Sequence, residues 1–171
     1  MTELRIGVVG AGLMGADHIQ RITERIVGAF VSAVVEPDEG RAKAALAHAP
    51  GATWFPNIEA ALEAEAMDAV LIATPGQFHE PVLLPALAAG LPILCEKPLT
   101  PDAASSLKIV EAEVAAGKQL IQIGFMRRFD AGYVRLRELI ASGTQGELLG
   151  LHCAHRNPAV PDTYHNDMLV F

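Results

Sequence analysis

Short apolar runs recur along the chain at Leu4–Val9, Phe30–Val35, Ala69–Ala73, Pro92–Cys95 and Leu120–Gly124. In each, apolar residues stand at consecutive rather than alternating positions, as expected of strands covered on both faces of a parallel sheet. Helical patterns fill the intervals. Leu13–Val27 puts Met14, Ile19, Ile22 and Ile26 on one stripe, and Glu39–His48 is Ala-rich with Leu46. Asn57 can cap a helix over Ile58–Glu63, and a helix over His79–Ala89 is expected to end at Gly90. Thr100-Pro101-Asp102 reads as a helix start with Thr as N-cap, Pro at the first helical position and an acid in the first turn. That helix runs to Ala116 and stops at Gly117. Strand and helix alternating at this spacing predict right-handed βαβ units and an α/β, doubly wound parallel sheet.

After Gly124 the pattern changes. Phe129, Tyr133, Leu136 and Ile140 fall at helical spacing, Gly143 to Gly146 forms a turn, and Glu147–Asn157 reads as one long strand. On such a strand Cys153, His155 and Asn157 share one face, while His152, Ala154 and Arg156 share the other. A lone strand needs partners, and 158–171 offers no second one. Either this tail pairs with something outside the chain, or the chain is the front part of a longer protein.

Composition narrows the class. The chain has 171 residues, of which 51% are apolar and 19% charged, enough to exclude disorder driven by low hydrophobicity. Its net charge of −7 removes the electrostatic drive for broad nucleic-acid or anionic-membrane binding. No leader is read at the N-terminus, and the longest uncharged stretch, Pro81 to Cys95, is short of a membrane span and broken by Pro85, Gly90 and Pro92. A soluble cytoplasmic protein is expected. The two cysteines, Cys95 and Cys153, form no metal or disulfide spacing. A metal set of His152, Cys153, His155, His165 and Asp167 is disfavoured, because His152 and His155 point to opposite faces of the predicted strand.

The chemistry starts at Gly10-Ala11-Gly12-Leu13-Met14-Gly15, which fits G-x-G-x-x-G between a predicted strand and a predicted helix. Gly10 permits the tight turn, Gly12 lets the backbone approach a pyrophosphate, and Gly15 allows close helix–strand packing. The head of the helix, with Leu13 and Met14, offers free N–H groups and a partial positive charge to the phosphates. Glu36 ends the second strand, where an acid bridges the adenosine ribose hydroxyls. A carboxylate about 4 Å from a 2′-phosphate costs up to ~4 kcal/mol per charge pair at an effective dielectric near 20. Pro37, Asp38 and Glu39 follow, so no arginine is expected nearby and NAD is favoured over NADP.

Two further segments, Ala73-Thr74-Pro75 with His79 and Glu96-Lys97-Pro98, follow the carboxyl ends of predicted strands, the edge where open α/β sheets bind ligands. Thr74, Pro75, His79 and Glu96 are therefore candidate cofactor neighbours. Lys97 is a candidate for stabilising an alkoxide before hydride loss, and an exposed surface ion pair is the plainer reading of the same residues. His79 is expected to start a helix beside the cofactor rather than act as a base. A cis Lys97–Pro98 bond is also expected.

The glycine turn, Glu36, ATPxxxH at 73–79 and EKP at 96–98 together resemble the Gfo/Idh/MocA oxidoreductases. GFMRRFDAGYVRLRELI at 124–140 and HCAHRNP at 152–158 are similar to the inositol dehydrogenase branch of that family. The resemblance implies a Rossmann domain over 1–125 and, over 126–171, the incomplete start of a C-terminal α+β domain for substrate and oligomerisation. It matches Lys97 to the family's catalytic lysine, contacting both cofactor and substrate, and Met126, Arg127, His155 and Asn157 to positions lining a polyol pocket. The implied reaction oxidises an inositol hydroxyl to a ketone with hydride passed to NAD, in a homo-oligomer. Family members add an Asp and a His general base, expected past Phe171; Asp167 and His165 do not match them. The chain alone is then expected to bind NAD and to lose roughly 10²–10⁴-fold in oxidation. Another polyol or sugar dehydrogenase, and a non-catalytic NAD-binding module, remain alternatives.

Overall fold

The computed structural model describes residues 3–154, which fall into two compact units, 3–124 and 125–154. The first unit is a six-stranded, wholly parallel sheet. Its strands are β1 (Leu4–Val9), β2 (Ala29–Val35), β3 (Thr53–Phe55), β4 (Ala69–Ile72), β5 (Ile93–Cys95) and β6 (Ile121–Ile123), in spatial order β3-β2-β1-β4-β5-β6. Its helices are α1 (Leu13–Arg25), α2 (Glu39–Leu46), α3 (Ile58–Glu63), α4 (His79–Ala88) and α5 (Ala103–Ala116). This is the doubly wound Rossmann order, and the strand sequence reverses between β1 and β4, where such sheets bind their ligands.

Consecutive apolar residues in the strands have the expected cause. Val8, Val31, Val34 and Leu71 pack with Ile19, Ile22 and Ala45 on the face covered by α1 and α2. Their neighbours Val9, Val35, Val70 and Ile72 pack with Ile58, Leu83 and Ile109 on the face covered by α3, α4 and α5. Alternate side chains leave opposite faces of a strand, so both faces must be apolar when both are covered.

Three expectations change. β3 was not foreseen: it is only three residues, Thr53-Trp54-Phe55, at the sheet edge and none of them fully buried, too short a run to show a strand pattern. The start of α5 moves two residues on from Thr100, because the Asp102 carboxylate accepts the Ser105 N–H at 2.9 Å and is the N-cap. A charged acceptor at the helix head outcompetes the hydroxyl, and Thr100 is buried with its own bonds to Asp102 O and Ser106 Oγ. Finally, the strand expected over Glu147–Asn157 is absent from its described part: 147–154 form no ladder and are exposed. Its remainder, with His155 and Asn157, lies outside the described residues.

In the second unit a short 3₁₀ turn, Met126–Arg128, leads into α6 (Ala131–Ala141), capped by Asp130, whose Oδ1 accepts the Gly132 and Tyr133 N–H groups. Among the described residues no helix is long and apolar enough to cross a membrane.

Candidate dinucleotide site

The glycine turn joins β1 to α1, and its glycines are dictated by what surrounds them. Gly10 has φ +90°, and a Cβ there would stand 2.9 Å from the Thr74 backbone nitrogen. At Gly15 a Cβ would lie 1.8 Å from the Gly10 carbonyl oxygen, so α1 can pack against the turn only with glycine here. Gly15→Ala is therefore expected to push α1 outward and cost roughly 1–3 kcal/mol, as overpacking of close-packed sites does. An unchanged urea midpoint would show that the helix gives way freely. Gly12 differs, since a Cβ there meets nothing within 4 Å, and it leaves open space beside the turn.

Gly12 is also the N-cap of α1. It supplies no side-chain acceptor, and the first turn holds no acid. The N–H groups of Leu13, Met14 and Gly15 precede the first intrahelical bond, Ala16 N–H to Gly12 O. Leu13 and Met14 are exposed at this head. Donors without an internal acceptor beside open space suit an anion such as a pyrophosphate.

Beside the turn lies a cavity of about 690 Å³, within the usual range for small-molecule sites. Gly10, Gly12, Glu36, Thr74 and Pro75 all line it, joined by Arg41 and Phe78. The Thr74 hydroxyl oxygen is buried with no hydrogen-bond partner among the described residues, an orphaned polar group in the cavity wall. Open space at Gly12, the free helix head and this orphan fit a dinucleotide.

Glu36 is 3% exposed at the end of β2. Its Oε2 accepts the Ala11 N–H at 2.8 Å, and its Oε1 accepts the Asp38 N–H at 3.1 Å and the Arg41 guanidinium at 2.8 Å. Burial pushes its pKa up, but the bonds from Arg41, Ala11 and Asp38 outweigh burial and hold the carboxyl below its ordinary value. The expectation that no arginine stands near Glu36 is thus overturned. Asp38 caps α2 through the Arg41 N–H at 2.7 Å, placing Arg41 third in the helix. Side chains at that position reach back over the cap. The sequence signal for this contact is the capping spacing, Asp38 with Arg41 three residues on, which lies beyond the Pro37–Glu39 stretch. Trp54, on the unforeseen β3, closes the same corner by donating its Nε1–H to Glu36 O at 2.8 Å.

His79 does not line this cavity. It starts α4 as expected, but its ring is fully buried, with Nδ1 2.8 Å from Pro98 O and Nε2 2.8 Å from Thr74 O. A ring sealed between two backbone carbonyls cannot reach a cofactor, so its place among the cofactor contacts is corrected. It ties the Thr74 turn to the Glu96-Lys97-Pro98 segment. That segment follows β5, and its Lys97–Pro98 bond is cis, as expected. Lys97 is exposed and makes no hydrogen bond or ion pair among the described residues. Glu96 is half-buried against His18 of α1, a residue the sequence reading did not single out. The adjacent Cys95 is structural, since burial, then the Glu96 charge, push its thiol up to about 12. In the second unit Met126 is exposed, and Arg127 pairs with Asp130 at 3.2 Å and lies over the Tyr133 ring, 5.3 Å from its centroid.

Residues 4–125 match the model of the Gfo/Idh/MocA oxidoreductase family, described as having an NAD-binding Rossmann fold. The chain is 64% identical over 168 residues to inositol 2-dehydrogenase of Corynebacterium glutamicum strain R, covering 98% of this chain and 50% of that protein. Among solved structures it is similar to myo-inositol dehydrogenase from Lactobacillus casei in complex with NAD(H) and myo-inositol. There the TM-score is 0.80 at 36% identity, over 84% of this chain and 42% of the other. A scyllo-inositol dehydrogenase from the same organism, with NAD(H) and scyllo-inositol, gives a TM-score of 0.80 at 28% identity, over 85% and 43%. The chain spans about half the length of the curated relatives it matches.

Proposed function

The chain belongs to the Gfo/Idh/MocA oxidoreductase family, and from that premise we propose that it forms the cofactor-binding half of an NAD-dependent inositol 2-dehydrogenase. The observation that carries the reading is one of placement. The glycine turn, Glu36 and Lys97 follow the carboxyl ends of β1, β2 and β5 of a single parallel sheet, the edge at which such sheets bind ligands. The 64% identity to an inositol 2-dehydrogenase supports the choice of substrate class.

When bound, NAD supplies the hydride acceptor. The residues of the chain do the rest. In this reading the N–H groups at the head of α1 bind the pyrophosphate, and Leu13 and Met14 flank it. Glu36 takes the adenosine ribose, with Thr74 and Pro75 in the wall. The exposed Lys97 ammonium holds the substrate oxygen and stabilises the negative charge that develops as its proton leaves. Met126, Arg127, His155 and Asn157 are assigned to the polyol by the family resemblance alone. The general base is assigned to no residue of 3–154. A cytoplasmic homo-oligomer, with residues 126 onward starting its substrate domain, completes the proposal.

A second reading, oxidation of a different inositol isomer, is supported by the likeness to the scyllo-inositol enzyme, which matches the fold as well but at lower identity. Calorimetric titration with NAD, alongside nicotinamide absorbance with myo-inositol, scyllo-inositol and a panel of sugars, tests both. NAD is expected to bind, and myo-inositol to give the fastest reduction. A folded chain that fails to bind NAD sinks the proposal, while preference for scyllo-inositol selects the second reading.

A further inference from the structure

We propose that His18 is a positioning residue for the hydride-transfer site: it holds the Glu96 carboxylate and thereby fixes the backbone that presents Lys97. This rests on the assignment of Lys97 and of the α1 turn made above.

His18 lies three residues after Gly15 on α1, and residues three apart share a helix face. The helix is locked to the turn at Gly15, so the position of His18 follows the position of the turn. Its Nε2 stands 2.9 Å from Glu96 Oε1, joining residues 78 apart in sequence. The two side chains are only 22% and 19% exposed. This sets the pair apart from Arg21–Asp17 and Lys43–Glu39, which are exposed contacts within one helix turn. A hydrogen bond to a charged acceptor, largely out of water, restrains both partners far more than a solvated one does.

Lys97 stands between two such restraints. Upstream, the Glu96 N–H donates to Ile72 O at 2.9 Å and the Glu96 carboxylate meets His18. Downstream, the Pro98 carbonyl meets the buried ring of His79. The lysine side chain has no partner among the described residues, so its location is set by the backbone on either side. His18 also leaves Lys97 free. Without it, the Glu96 carboxylate loses its donor, and the nearest cation in sequence is the Lys97 ammonium itself. An ion pair there would occupy the group that must meet the substrate oxygen.

Two substitutions separate donor from bulk: His18→Phe keeps a ring and loses the donor, and His18→Gln keeps a donor. Amide hydrogen exchange over 93–100, NAD titration and the rate of Lys97 acetylation read by mass spectrometry are measured in each. His18→Phe is expected to speed exchange at 95–97 about tenfold and to slow Lys97 acetylation about threefold, with NAD affinity held within about threefold. His18→Gln should restore both rates to within about twofold of the wild type. Glu96→Gln, which approaches the contact from its other side, should repeat the faster exchange. Equal exchange over 93–100 in wild type, His18→Phe and Glu96→Gln overturns the role of His18. Failure of the wild-type chain to bind NAD is a different result, which removes the cofactor reading itself.

Discussion

Lys97→Ala is expected to lower polyol-dependent reduction of NAD by about 10³-fold in kcat, the usual scale for removing one group aimed at developing negative charge. NAD affinity should change little, because the cavity beside the glycine turn is lined by residues of β1, β2, α3 and the Thr74 turn rather than by Lys97. The lysine is exposed and unpaired among the described residues, so its loss leaves no buried partner unsatisfied and no cavity. The fold should therefore keep its urea midpoint. Lys97→Arg separates charge from geometry: the guanidinium keeps the cation but spreads it over a longer planar group. It is expected to recover only a small part of the lost rate. A Lys97→Ala variant that turns over at the wild-type rate removes the lysine from the chemistry and leaves the chain a cofactor-binding module.

Much of this architecture was legible because its physics is local. Consecutive β-branched residues such as Val8-Val9 and Val34-Val35, in short runs bounded by glycine, proline or charge, point to strands covered on both faces, and the structure puts those neighbours into the two separate cores. Asn57 as a cap was readable for the same reason: its Oδ1 accepts the Ala60 N–H at 2.9 Å, a bond spanning three residues. What escaped was set by topology. β3 exists because β2 offers it an edge, and its own three residues say little. His18 meets Glu96 because β1, which leads into α1, and β5 both pair with β4, and nothing near either residue announces a partner 78 positions away. His79 was placed correctly at a helix start yet assigned to the wrong task. Its burial between the Thr74 and Pro98 carbonyls depends on two loops that meet only in the folded sheet.

Glu36→Gln is expected to cut the preference for NAD over NADP by about 10²-fold in Kd, mainly by admitting NADP. The carboxylate is held below its ordinary pKa, so it carries its charge at neutral pH and faces any 2′-phosphate as an anion. Repulsion at about 4 Å reaches ~4 kcal/mol per charge pair at an effective dielectric near 20, but here part of it is cancelled. Arg41 stands 2.8 Å from the same carboxylate, and being 58% exposed it is itself screened by water. Glutamine keeps the volume and one acceptor oxygen for the Ala11 N–H, gives up the bond from the Asp38 N–H because its NH2 cannot accept, and removes the charge that holds the guanidinium. Arg41 is then free to meet the phosphate. Arg41→Ala should act in the opposite sense, leaving Glu36 uncompensated and weakening NADP several-fold more than NAD. The double variant should lose the NADP gain of Glu36→Gln, because the cation that receives the phosphate is gone. Titration of all four proteins with NAD and NADP decides the matter. If Glu36→Gln leaves the ratio of the two affinities unchanged, selectivity does not reside in this carboxylate; if Arg41→Ala strengthens NADP, the arginine does not face the 2′ position.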